Sequence, residues 1–289
     1  MKHGKLFAST LIMVILLSGV AIVLNILDVF SAPEEAEPSF NNLIYVGDID
    51  QKGPKDLSAK ATPDNSDTLA EFAEKNGKRL SDYPSQLVKL YSRNKETETF
   101  VKNYIFAQDY NKDCILSEEE ISGDTPHLLL QFDERWGYEK YSAGFIADAG
   151  CGPTCLSMVL SNILKDRTLT PAKIADFASQ NDYVEVGSGT KWTMMSEGAE
   201  ILGLGGREIP LMIDVLTEEL QSGNPVIAIM GPGDFTQRGH YIVLTGIDSE
   251  GNLTINDPFS KERSSRKWNF NDISGQIRNL WAYDRKAYD

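Results

Sequence analysis

Cysteine is scarce in this chain: three in 289 residues, an odd number that makes no disulfide framework. Their spacing fits no zinc ribbon or finger, although Cys151 and Cys155 with Cys114 and His240 would supply four metal ligands. Histidine is just as rare, limited to His3, His127 and His240. Positive charge is in deficit, with 28 Lys plus Arg against 42 Asp plus Glu and a net charge of −14. That balance leaves no basic surplus to neutralise phosphates and argues against a nucleic-acid partner. No G-x-x-x-x-G-K-[ST] motif occurs, so there is no P-loop ATPase, and no pattern asks for a cofactor. Internal repeats are absent as well.

Long apolar stretches are also few, with one exception near the start. Residues 6–27, "LFASTLIMVILLSGVAIVLNIL", carry no charge. As a helix rising 1.5 Å per residue they span roughly 33 Å, enough to cross a bilayer core. Lys2 and Lys5 precede the run and acidic residues follow it. The positive-inside rule then leaves the N-terminus in the cytoplasm and the rest extracellular, as a single-pass protein of the cell membrane. The alternative is a cleaved signal segment with "SGVA" as the small-residue site, which makes the protein secreted. Both readings export the chain.

Residues 1–30 are therefore expected to form an anchor or signal segment, and 31–68, rich in Pro, Asp, Glu and Ser, an acidic linker. Residues 69–125 read as a helical extension, with two short helices broken by Gly77 and Pro84. Its place just upstream of a catalytic domain suggests an inhibitory prosegment; the plainer alternative is a packed extension. Within it, Asp109, Asn111, Asp113, Ser117 and Glu120 stand at calcium-loop positions, but Cys114 replaces the glycine that the sharp turn needs. An acidic surface loop is the alternative there.

From 126 to 289 the texture is denser. Helices are expected at 152–164, 171–180, 191–203 and 211–222, and strands at 225–230, 240–247, 253–257 and 279–284. Helices first and antiparallel strands second predict an α+β domain of about 160 residues.

The chemistry concentrates in "GCGPTCLSMVL", residues 150–160. Pro153 suits the first turn of a helix, and Gly150 and Gly152 let backbone approach closely on either side of Cys151. Unpaired N–H groups and the helix dipole at such a start favour an anion, and the thiolate is the nucleophilic form of cysteine. Cys155 lies one turn further in, among Leu156, Met158 and Val159, and reads as core. His240 follows the polar loop "GPGDFTQRG" and opens the strand "HYIVLTGI". There it can face a cleft on a rigid backbone. Asp257 lies seventeen residues later. If 248–251 form the hairpin loop, Ile247 faces Asn252 and Asp257 lies opposite Ile242, a diagonal neighbour of His240. A one-residue slip would present Asn256 instead. Thiol hydrolysis of an amide needs this set, plus a donor for the oxyanion; Gln131 is a candidate, with a surface glutamine as the alternative.

Four segments in this order, "QFDERWGY", "GCGPTCLSMVL", "GDFTQRGHYIVLTG" and "INDPFS", resemble the papain-like cysteine peptidases. Within these they are most similar to stand-alone bacterial relatives of the peptidases that trim double-glycine leaders, the peptidase C39-like group. The resemblance implies a papain-like fold. It also implies Cys151 as nucleophile, His240 as base, Asp257 as orienting carboxylate and Gln131 at the oxyanion hole. It favours Cys151 over Cys155, because the family's cysteine is followed directly by glycine. It implies a peptide or protein substrate and neither metal nor cofactor. The leader peptidases are fused to an exporter ATPase and act on the cytoplasmic side, which sets bacteriocin maturation aside for an exported chain. A cell-surface binding module with little turnover, on the same fold, is the alternative function.

Overall fold

The apolar runs Val226–Met230 and Tyr241–Leu244 lack the polar alternation of a half-exposed strand, and they belong to a sheet covered on both faces. The computed structural model describes residues 65–109, 114–185, 187 and 189–285. The expected anchor at 1–30, most of the acidic linker and calcium-loop positions 110–113 lie outside the described residues. Among the described residues no helix is long and apolar enough to cross a membrane.

Helices α1 (Asn65–Lys75), α2 (Ser85–Arg93) and α3 (Glu98–Asn103) come first. The short pair β1 (Lys140–Tyr141) and β2 (Gly144–Phe145) leads into α4 (Ile146–Ala149), α5 (Cys151–Leu164) and α6 (Pro171–Gln180). A second small pair, β3 (Val184–Glu185) and β4 (Gly189–Thr190), precedes α7 (Glu197–Ile201). Then follow β5 (Arg207–Glu208), α8 (Ile213–Gln221), β6 (Val226–Met230), β7 (His240–Ile247) and β8 (Asn252–Asn256). The chain continues through α9 (Lys261–Ser264), β9 (Trp268–Asn269), α10 (Phe270–Ile273) and β10 (Ile277–Ala282). One antiparallel sheet has the order β5-β10-β6-β7-β8-β9. The result is the mixed helical and antiparallel architecture expected.

Strand residues sort by parity. Ile227, Ile229, Tyr241 and Val243 join the core around α5, while Val226, Ala228, Met230, Ile242 and Leu244 join that around Leu216 and Leu220 of α8. Helix α5 is buried along nearly its whole length, as its apolar residues on all sides require. A third core joins Leu69, Leu87, Leu90 and Phe100 of the helical extension to Phe132, Phe145, Ala147 and Phe259. The extension thus packs on the segments that carry Gln131, lead into Cys151 and follow Asp257.

The expected helix over 191–203 is broken into a 3-10 turn, Trp192–Met195, and α7. The Met195 carbonyl accepts from the Tyr283 hydroxyl at 2.7 Å instead of continuing the helical ladder.

Candidate active site

Helix α5 starts at Cys151 with Gly150 as its N-cap, and Pro153 falls in the first turn, where a missing N–H costs nothing. Gly152 is required by packing: a Cβ there would lie 2.6 Å from Thr190 Oγ1 and 2.7 Å from Thr190 Cβ. Thr190 is itself fixed, its hydroxyl sharing a 2.7 Å hydrogen bond with Tyr141 and its carbonyl accepting from Tyr241 at 3.2 Å. Cys151 is 1% exposed and Cys155 fully buried. Burial pushes the Cys155 thiol well up, so it stays protonated as a core residue.

The β7–β8 hairpin places the imidazole and its partner. Near the turn, Ile247 pairs with Leu253 and not with Asn252 as expected, but a bulge between Leu244 and Gly246 shifts the register. Beyond it Leu244 pairs with Ile255 and Val243 with Asn256, the alignment that brings Asp257 opposite Ile242. His240 Nε2 lies 2.7 Å from Asp257 Oδ1, both side chains fully buried. Because a carboxylate accepts, Nε2 carries the proton, and the neutral ring keeps a bare Nδ1. Nδ1 makes no aligned hydrogen bond, yet the Cys151 side chain is near enough to stabilise the imidazolium. Hydrogen bonds of this kind are often long or poorly aligned before substrate arrives.

Burial by itself would lower the pKa of His240; the charge and hydrogen bond of Asp257, followed by Cys151, overcome it and push it up to about 9. Burial also acts to raise the Asp257 carboxyl, but Arg263 and His240 hold it well below the usual carboxylate range. Asp257 Oδ2 accepts from Arg263 Nε at 2.5 Å, and Oδ1 also accepts from the Phe259 N–H at 2.8 Å.

Gln131 is fully buried, not a surface glutamine. Its Nε2 donates to the Ala147 carbonyl at 2.8 Å and its backbone N–H to the Pro258 carbonyl at 2.8 Å. It thereby ties the turn before Cys151 to the residue after Asp257. Its Oε1 has no partner.

The structure brings Cys151, His240 and Asp257 together and anchors Gln131 to both sides of them. Arg263, Thr190 and Tyr141 were not singled out by the sequence: an arginine, a threonine and a tyrosine with no local motif give no signal.

Other sequence features fall elsewhere. His127 is exposed. Cys114 Sγ lies 3.3 Å from the Arg135 carbonyl, and among the described residues no three His, Cys, Asp or Glu side chains converge as a metal site. Glu120 and Ser117 bond reciprocally, and Arg135 binds both Glu120 oxygens at 3.0 and 2.6 Å. The last carboxylate of the calcium pattern is thus engaged by a cation already.

A model of the Peptidase_C39 like family matches residues 130–288, more than half of the chain. The chain belongs to this family. No curated protein matches it. The family match supports a peptidase of the cysteine type, and Gln131, Cys151, His240 and Asp257 all lie within the matched segment. The helical extension precedes it.

Proposed function

We propose that the chain is a thiol peptidase that cleaves peptide or related amide bonds through a covalent acyl-enzyme. The observation that carries this reading is the setting of one imidazole, bound to Asp257 through Nε2 and neighboured by Cys151, at the start of a buried helix. Nδ1 of His240 takes the Cys151 proton, and the thiolate adds to the substrate carbonyl carbon. Collapse of the tetrahedral intermediate breaks the C–N bond as the imidazolium returns that proton to the leaving amine. A water then gives its proton to Nδ1 and attacks the thioester; the acid departs and the thiol is restored. Asp257 keeps the ring oriented and supports its charged form.

One hydrogen of Gln131 Nε2 is held by Ala147. The second is left for the oxyanion, together with the Cys151 backbone N–H of the first helical turn, where N–H groups have no intrahelical partner. The charge-free run at 6–27 supports an exported, membrane-tethered enzyme acting on peptide or protein substrates outside the cell, with a secreted form as the alternative.

Near-complete burial of Cys151 and His240 also suits the binding-module alternative, since a substrate reaches the sulfur only after neighbouring groups move. Labelling decides between them. Iodoacetamide at about pH 6, read by mass spectrometry, should modify Cys151 far faster than Cys114 or Cys155, and His240→Ala should abolish the difference. Slow, equal labelling of all three would reject the peptidase.

A further inference from the structure

Asp257 is gripped from two sides. Its Oδ1 meets His240 Nε2 and the Phe259 N–H, and its Oδ2 meets Arg263 Nε. Arg263 belongs to the four-residue helix α9, whose start is organised by a residue far away in the chain. Glu96 Oε1 accepts from the Ser260 hydroxyl at 2.6 Å and the Glu262 N–H at 3.4 Å, and Glu96 Oε2 accepts from the Lys261 N–H at 2.7 Å. Ser260 Oγ in turn accepts from the Arg263 N–H at 3.1 Å, and Asn94 Nδ2 donates to the Phe259 carbonyl at 2.8 Å. A carboxylate at the start of a helix is electrostatically favoured, and this one satisfies two N–H groups that the short helix leaves unpaired.

We propose that Arg263 and Glu96 are positioning residues for the peptidase centre. The helical extension, through Glu96, fixes the turn that carries Arg263, and Arg263 fixes the plane of the Asp257 carboxylate against His240. This inference rests on the peptidase reading and assigns the extension a part in it. A carboxylate bound on one side only is free to rotate about its last torsion; bound on both, it presents one oxygen to the imidazole in one orientation. The titratable and charged groups that face the pair are Cys151 and Cys155 of α5 and Arg263 of α9, while the Tyr141 and Tyr241 hydroxyls face Cys151. Of these, Arg263 is the one permanent cation.

The test is the pH profile of Cys151 alkylation by iodoacetate in the full chain, read by mass spectrometry from about pH 5 to about pH 10, with urea unfolding to establish that each variant folds. The rate falls on the alkaline side as His240 loses its proton. Arg263→Gln removes positive charge beside Asp257, favours the imidazolium and should move that limb upward by about half a pH unit or more. Arg263→Lys, which keeps the charge, should leave it near its original place. Glu96→Ala should shift the limb in the same direction by less, and the double variant Arg263→Gln with Glu96→Ala should move it no further than Arg263→Gln, because both act on one path.

A residue that only supports the fold would lower the unfolding midpoint without moving the limb. An unmoved limb in folded Arg263→Gln, or shifts that simply add, would overturn the proposal while His240-dependent labelling remains. Glu96→Ala, at a half-buried position, carries the test where Arg263→Gln does not fold, and an unmoved limb there is equally fatal. If the unsubstituted chain shows no His240-dependent labelling of Cys151, the peptidase reading itself fails, and that outcome is separate from the others.

Discussion

The His240 ring and its Asp257 partner titrate away from their ordinary values in opposite directions. His240 titrates higher in the folded chain, up to about 9, because Asp257 and Cys151 outweigh the cost of burial. A raised value means that the fold binds a proton the unfolded chain releases. The stability it contributes is complete below the ordinary value of about 6.5 and is lost as pH climbs through the folded one. Asp257 has the opposite sign. Its folded value is depressed, so its contribution is present above about 3.9 and lost as pH falls through the folded value. Urea midpoints should therefore decline between neutral pH and about pH 9, and His240→Gln should flatten that decline. Asp257→Asn should lower the alkaline limb of Cys151 alkylation, since the amide keeps an oxygen for Nε2 but no charge; a limb that stays in place would remove Asp257 from the account. Cys151, His240 and Asp257 were legible in the sequence because thiols and imidazoles are scarce and the hairpin could be counted. Glu96 and Arg263 were not, because common charged residues become partners only when the fold closes about 165 positions of chain between Glu96 and the α9 turn.

Elements with local punctuation were readable to within a residue or two. Thr170 accepts from the Lys173 N–H, Pro171 opens the helix behind it, and α6 spans the expected Pro171–Gln180. The helix expected over 191–203 failed because its decisive contact, Tyr283 on the Met195 carbonyl, comes from 88 residues away. Two-residue strands such as β3 and β4 are too short to show a period, yet β4 sets the seat of the helix that starts at Cys151. Register was legible where the hairpin is regular and displaced by one residue beside its turn, where Thr245 makes the bulge. Gly152→Ala would drive a methyl against a threonine that two tyrosines hold still. It should cost ~1–3 kcal/mol in urea unfolding and slow Cys151 labelling, since relief comes only by moving the start of α5. A variant with unchanged stability and labelling would show that β4 does not fix that position.

Taken whole, the described chain has the helical extension built into its core. Phe132, Phe145 and Phe259 pack with Leu69, Leu87, Leu90 and Phe100, and the Phe100 and Tyr138 rings stack at 4.3 Å. The Tyr138 hydroxyl donates to the Phe100 carbonyl at 2.7 Å. Burying one such aromatic is worth about 1.5–3 kcal/mol, so stripping the partners of three removes an amount comparable with the ~5–15 kcal/mol by which whole domains are stable. An inhibitory prosegment predicts that its removal activates the enzyme. The packing predicts the reverse. Deleting residues 31–103 should give a chain that aggregates in size-exclusion chromatography, unfolds at lower urea and loses the preferential labelling of Cys151. The cause is physical: apolar surface goes back to water, and the 257–264 turn loses Asn94 and Glu96. A monomeric deletion variant that labels Cys151 faster than the full chain would instead identify a removable cover, and would require the site to hold its geometry without the extension.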